Sequence, residues 1–128
     1  MFFKHKVGQI GESEAAKYLK KKGYLIITRN YRKPWGEIDI VAKKGGGIYF
    51  VEVKTVTRPD VLRETMGDNY EPEDNIHPWK LKRLAKTIET FLLQHEEYED
   101  YDWQLDAIAV YLDPQQKILK IEHLEDVL

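Results

Sequence analysis

The chain is expected to fold as an α/β sandwich, with a mixed central sheet flanked by helices. Three observations lead there. An amphipathic helical segment opens the chain, two strand-like runs joined by a glycine turn follow another strand, and a second amphipathic helix precedes two last strands. In this α-β-β-β-α-β-β order each helix has to bury its apolar stripe on a face of the sheet.

Val7 to Lys22 reads as the first helix. Gly8, Glu12, Ala15 and Leu19 fall on one strip that is small and apolar apart from Glu12. A lysine-rich last turn and then Gly23 mark its end. Tyr24 to Tyr31 reads as a strand, with Arg32-Lys33-Pro34-Trp35 as its turn. Gly36 to Ala42 and Ile48 to Lys54 read as a hairpin closed by Gly45-Gly46-Gly47. Thr55 to Pro78 is polar, contains Pro59 and Pro72 and shows no period, so a long loop is expected over residues 57–77. Pro78 suits a first helical position, and Leu81, Leu84, Ala85, Ile88, Phe91 and Leu92 stripe a helix running to about His95. Trp103 to Leu112 and Lys117 to His123 read as the last strands, around an Asp113-Pro114 turn.

A chain of 128 residues with this pattern is expected to form one domain, residues 1–128. The absence of cysteine excludes disulfides, thiolate zinc sites and cysteine nucleophiles. No apolar run approaches the ~20 residues that span a membrane, and the opening residues lack a signal-peptide core, so a cytoplasmic protein is expected. The net charge of −2 argues against a nucleic-acid partner. The charge is segregated, however. Lys17, Lys20, Lys21 and Lys22 cluster early, Lys80, Lys82, Arg83 and Lys86 cluster later, and acid gathers between Glu96 and Asp102. Local basic patches can steer a polyanion on a near-neutral total.

The chemistry lies in the hairpin. Side chains alternate along a strand, so Asp39 shares a face with Glu37, and Glu52 with Phe50 and Lys54. Pairing the two runs brings Asp39, Glu52 and Lys54 to one end of the sheet. Charges set in apolar sequence are costly unless compensated. A structural ion pair is one compensation, and it is the ordinary meaning of a lone Glu-x-Lys. A divalent cation held by the two carboxylates is the other.

Gly8-x-x-Gly11-Glu12-x-x-Ala15, Gly23-Tyr24, Asn30-Tyr31, Gly36-Glu37-Ile38-Asp39 and Phe50-Val51-Glu52-Val53-Lys54-Thr55 closely resemble the small bacterial YraN-like family. That family is similar in turn to the archaeal Holliday-junction resolvases of the PD-(D/E)xK nuclease superfamily. The match is dense over the first 55 residues and looser beyond. It implies a restriction-endonuclease-like fold. It also implies a metal-dependent endonuclease acting on DNA, branched or otherwise structured, with RNA as an alternative substrate. Carried over by residue, Asp39 and Glu52 are the metal-binding acids, with the Val53 carbonyl and the helix residue Glu12 completing the ligand set. Lys54 is the signature lysine. Asp39, Glu52, Lys54 and Glu12 are thus the implied catalytic residues. Family members place an arginine after the Lys-Thr pair, whereas this chain has Val56 there and Arg58 two residues on.

Oxygen ligands of this kind suit Mg²⁺ or Mn²⁺. Lys80, near the start of the second helix, is a candidate phosphate contact, and Arg58, Lys82 and Arg83 are candidate backbone contacts. Cutting a junction needs two active sites, hence a homodimer. Asp106 reads as structural, holding a loop amide. The four histidines have no ligand spacing, and Trp35, Trp79 and Trp103 read as packing residues. The competing reading is a non-catalytic nucleic-acid- or partner-binding module that retains the nuclease fold.

Overall fold

The computed structural model describes the backbone of residues 2–57 and 78–128, and the side chains of residues 6–57 and 78–128. Helix α1 (Phe2–Lys21) is followed by β1 (Leu25–Lys33), β2 (Gly36–Lys44) and β3 (Gly47–Thr57). Then come α2 (Pro78–Gln94), a short 3₁₀ turn (Glu96–Tyr98), β4 (Asp102–Leu112) and β5 (Ile118–Leu124). The expected element order and the mixed α/β architecture are present, and they are consistent with a restriction-endonuclease-like fold.

The strands form one sheet in the order β1-β2-β3-β4-β5. Its pairings are antiparallel except for β3 with β4, which run parallel. A parallel pair needs a crossover connection, and α2 lies within it. On one face, α1 packs Ala15, Ala16 and Leu19 against Ile40, Ala42, Val51, Ile108, Val110 and Leu112. On the other, α2 packs Leu84, Ile88 and Phe91 against Val41, Ile48, Phe50 and Leu105. Adjacent residues such as Ile40 and Val41, or Phe50 and Val51, thus serve opposite cores, as strand alternation requires.

Two expectations shift at element ends. Helix α1 begins at Phe2 rather than near Val7, because Phe2 to Lys6 contains neither a cap residue nor a breaker. The stretch Thr55 to Thr57, expected in a loop, belongs to β3, where it pairs with Val110 to Leu112. The partner strand β4 supplies the ladder that local composition does not announce. Residues 58–77, and Arg58 among them, lie outside the described residues.

Two glycines fix how the helices sit. A Cβ on Gly11 would fall 1.8 Å from Thr55 Oγ1 and 2.9 Å from Thr55 Cβ, so α1 approaches β3 closely at this point. A Cβ on Gly36 would fall 2.4 Å from Thr87 Oγ1 and 3.1 Å from the Arg83 carbonyl oxygen, so α2 lies as tightly on the start of β2. Both approaches border the same cleft.

A candidate metal and phosphate cleft at the fork of two strands

Strands β2 and β3 pair only as far as Ile40 with Val51. Beyond that point β2 stays with β1, through Ile38, Glu37 and Gly36. β3 continues with β4, from Glu52 opposite Ala107 to Thr57 opposite Leu112. The sheet therefore splays, and a cleft of about 520 Å³ opens at the fork. Its lining includes Glu12 from α1, Glu37 and Asp39 from β2, Glu52, Val53 and Lys54 from β3, and Trp79, Lys80 and Arg83 from α2.

Asp39 and Glu52 are the first residues past the last rung of the ladder, one on each arm. Val53 N–H, left without a β2 partner by the splay, donates to Asp39 Oδ2 at 2.7 Å. This bond orients the carboxylate at the mouth of the fork. It is the one hydrogen bond Asp39 receives among the described residues. Burial, then the charges of Glu52, Glu12 and Glu37, outweigh it and push the Asp39 carboxyl up to about 8. A carboxylate surrounded by carboxylates favours either a proton or a cation.

The other acids have partners. Glu52 Oε2 lies 2.5 Å from Lys80 Nζ. Glu12 lies 3.7 Å from an Arg29 guanidinium nitrogen, and Glu37 lies 3.2 Å from one of Arg32, its cross-strand neighbour. Lys54 is exposed, faces the cleft and forms no ion pair among the described residues.

The structure thus gathers Asp39, Glu52, Lys54, Glu12 and Val53 at one cleft. It refines two expected roles. Val53 contacts Asp39 through its N–H, and Lys80 is engaged with Glu52. Arg83 lines the cleft while donating from Nε to the Trp35 carbonyl at 2.8 Å, whereas Lys82 is exposed and is not part of the lining. Trp79, read from sequence as packing, is 59 % exposed at the cleft.

The donor set suits a hard dication. Two carboxylates converge, and the further oxygens would be waters, as Mg²⁺ prefers. Among the described residues, no three His, Asp or Glu side chains form a ready-made metal cage.

A buried carboxylate elsewhere in the sheet was legible only in part. Asp106 is fully buried and accepts from the Asp126 amide at 2.9 Å, the loop-amide role expected of it. It also accepts from Gln104 Nε2 at 2.8 Å and lies 2.8 Å from His123 Nε2, whose other ring nitrogen is 3.4 Å from the Tyr18 hydroxyl. The His123 partnership has no local signal, since the two residues meet only through the β4–β5 ladder.

No helix among the described residues is long and apolar enough to cross a membrane. Residues 11–110 match the profile described as uncharacterised protein family UPF0102. A UPF0102 protein of Caldicellulosiruptor saccharolyticus is 34 % identical over 96 % of this chain and 97 % of its own length. One of Moorella thermoacetica is 39 % identical over 90 % of this chain and 88 % of its own. One of Wolinella succinogenes is 44 % identical over 68 % and 70 % of the two chains. With a matched stretch that takes in Glu12, Asp39, Glu52, Lys54 and Lys80, this chain belongs to the UPF0102 family, the YraN-like family its motifs resemble.

Proposed function

We propose that the protein is a Mg²⁺- or Mn²⁺-dependent endonuclease that hydrolyses phosphodiester bonds in DNA in the cytoplasm. The observation that carries this reading is the convergence of Asp39 and Glu52 on the two arms of the fork, with Lys54 exposed in the same cleft. The preference for branched or structured DNA rests on the resemblance to resolvases, as does the homodimer that paired cuts would need.

Hydrolysis adds water to phosphorus and breaks one P–O ester bond, leaving a phosphate monoester and a hydroxyl. Asp39 and Glu52 would hold the cation, and Glu12 and the Val53 carbonyl would complete its shell. The bound ion supplies Lewis acidity, acidifying water and offsetting charge on the phosphate. As an ammonium, Lys54 would orient the attacking water and offset the charge that grows on the phosphate oxygens; as a free amine it would instead accept the water's proton. Arg83 borders the cleft as a candidate backbone contact, its guanidinium 5.8 Å from the centre of the Trp79 ring.

Wild type and Glu52→Gln, incubated with Mg²⁺ or Mn²⁺ and labelled duplex, single-stranded, flap, four-way-junction and RNA substrates, test the reading. Cutting by wild type alone is the expected result, and the cut substrate names the class. Silence from both proteins with binding retained would overturn catalysis. It would favour the second reading, a non-catalytic binding module. That reading draws on the ion pairs of Glu52 with Lys80 and Glu12 with Arg29, which balance two of the acids without a metal.

A further inference from the structure

We propose that Lys80 is the internal counter-ion of the cleft. It holds Glu52 while no divalent cation is bound, and is displaced toward the phosphodiester when one arrives. This rests on reading the fork as a cation site.

The ammonium comes from α2, whose position over β2 is set by the close approach of Gly36 to Thr87 and Arg83. Lys80 is the third residue of that helix, and its Nζ lies 2.5 Å from Glu52 Oε2. The Glu52 side chain is 15 % exposed and that of Lys80 is 39 % exposed, so the carboxylate is the more enclosed partner and the ammonium stays within reach of solvent. Lys54 would be the expected partner of Glu52, two residues along the same face of β3. It makes no such pair among the described residues. The two lysines of the cleft therefore divide the work: one neutralises the acid, the other stays available.

An ammonium and a dication cannot both sit at this oxygen, because their mutual repulsion at contact distance is large in a partly buried site. Once released, Lys80 remains in the cleft on a flexible four-carbon stem, close to the start of α2, where anions are favoured. Cation binding then uncovers Glu52 and presents a positive charge to phosphate in one event. The cation-free site also avoids an uncompensated pair of facing carboxylates.

Calorimetric titration of Mn²⁺ into wild type, Lys80→Met and Asp39→Asn tests the competition. Lys80→Met is expected to bind Mn²⁺ roughly three- to tenfold tighter than wild type, the scale of a partly exposed charged pair. Equal or weaker binding by Lys80→Met overturns the proposal. A second measurement needs no substitution at Lys80. The ¹⁵Nζ resonance of Lys80 in wild type should shift and lose protection from exchange as Mg²⁺ saturates the site, and an unmoved resonance overturns displacement. If neither wild type nor Lys80→Met binds Mn²⁺, or Asp39→Asn binds as tightly as wild type, the cation site itself is wrong and the counter-ion role falls with it.

Discussion

Asp39 and Asp106 are both carboxylates set in strands of one sheet, and the protein treats them in opposite ways. Asp106 is enclosed by donors from His123, Gln104 and the Asp126 amide. Burial alone would raise its pKa, yet these hydrogen bonds more than offset burial and hold the carboxyl below its ordinary value. Asp39 has one donor among the described residues, the Val53 amide, and burial together with three acidic neighbours pushes its carboxyl up to about 8. A buried charge that is fully hydrogen-bonded stabilises a fold, whereas a carboxylate left short of donors and crowded by like charge favours a proton or a cation. The contrast separates a structural acid from a candidate functional one.

The largest test is on the structural side. Asp106→Ala strands the Asp126 amide, Gln104 and His123, and should cost about 3–5 kcal/mol in urea unfolding, as loss of one partner of a buried charged network does. Asp39→Asn in cation-free buffer should be neutral or stabilising at pH 8, because it removes the acid that its neighbours disfavour. Equal destabilisation by both substitutions would erase the comparison.

Next in size is the cleft wall. Gly11→Ala places a Cβ against Thr55, whose own Cβ lies too close for a rotamer change to relieve the clash. The cost is expected to be about 1–3 kcal/mol, as in overpacked cores. The displaced α1 should weaken Mn²⁺ binding through Glu12. Unchanged binding would remove Glu12 from the site.

Dependence on pH sharpens the comparison further. Folding raises the Asp39 pKa from 3.8 to about 8, so the native chain keeps a proton that the unfolded chain has released across that window. The stability tied to this proton is fully present below the unfolded value and is lost as pH rises toward 8. Asp106 has the opposite sign: its contribution is present above the unfolded value and is lost as pH falls through the lower native one. Urea midpoints of Asp39→Asn and wild type should therefore diverge from pH 5 to pH 8, with wild type falling relative to the variant. Parallel curves would contradict the raised pKa. At pH 8, Mg²⁺ at ten times its Kd should restore about 1.4 kcal/mol to wild type and nothing to Asp39→Asn.

The smallest expected effect is at the rim. Arg32→Ala removes an exposed partner of Glu37 and should change stability by less than about 0.5 kcal/mol. A larger loss would mean that Arg32 offsets the charge that Glu37 brings to the cleft.

Much of this was readable from the chain. Strand alternation at Asp39, Glu52 and Lys54 placed three charges at one end of a hairpin, and the structure puts them there because a hairpin's register is local. The stripe from Leu84 to Phe91 and the Gly23 end of α1 were legible for the same reason: each depends on residues a few positions apart. The strand run past Thr55, the Gly11–Thr55 approach and the Asp106–His123 pair were not. Each depends on a partner brought close by the sheet.

The sequence by itself determined the order of elements, the apolar face of each helix and the identity of the acids at the fork. These follow from periodicity and side-chain chemistry over short separations. Only the tertiary structure decided which cation meets which acid. Glu52 takes Lys80 from a helix 28 positions away rather than Lys54 from its own strand. The choice between them is set by how α2 lies on the sheet, and charges along a strand carry no record of the helix that will be laid across them.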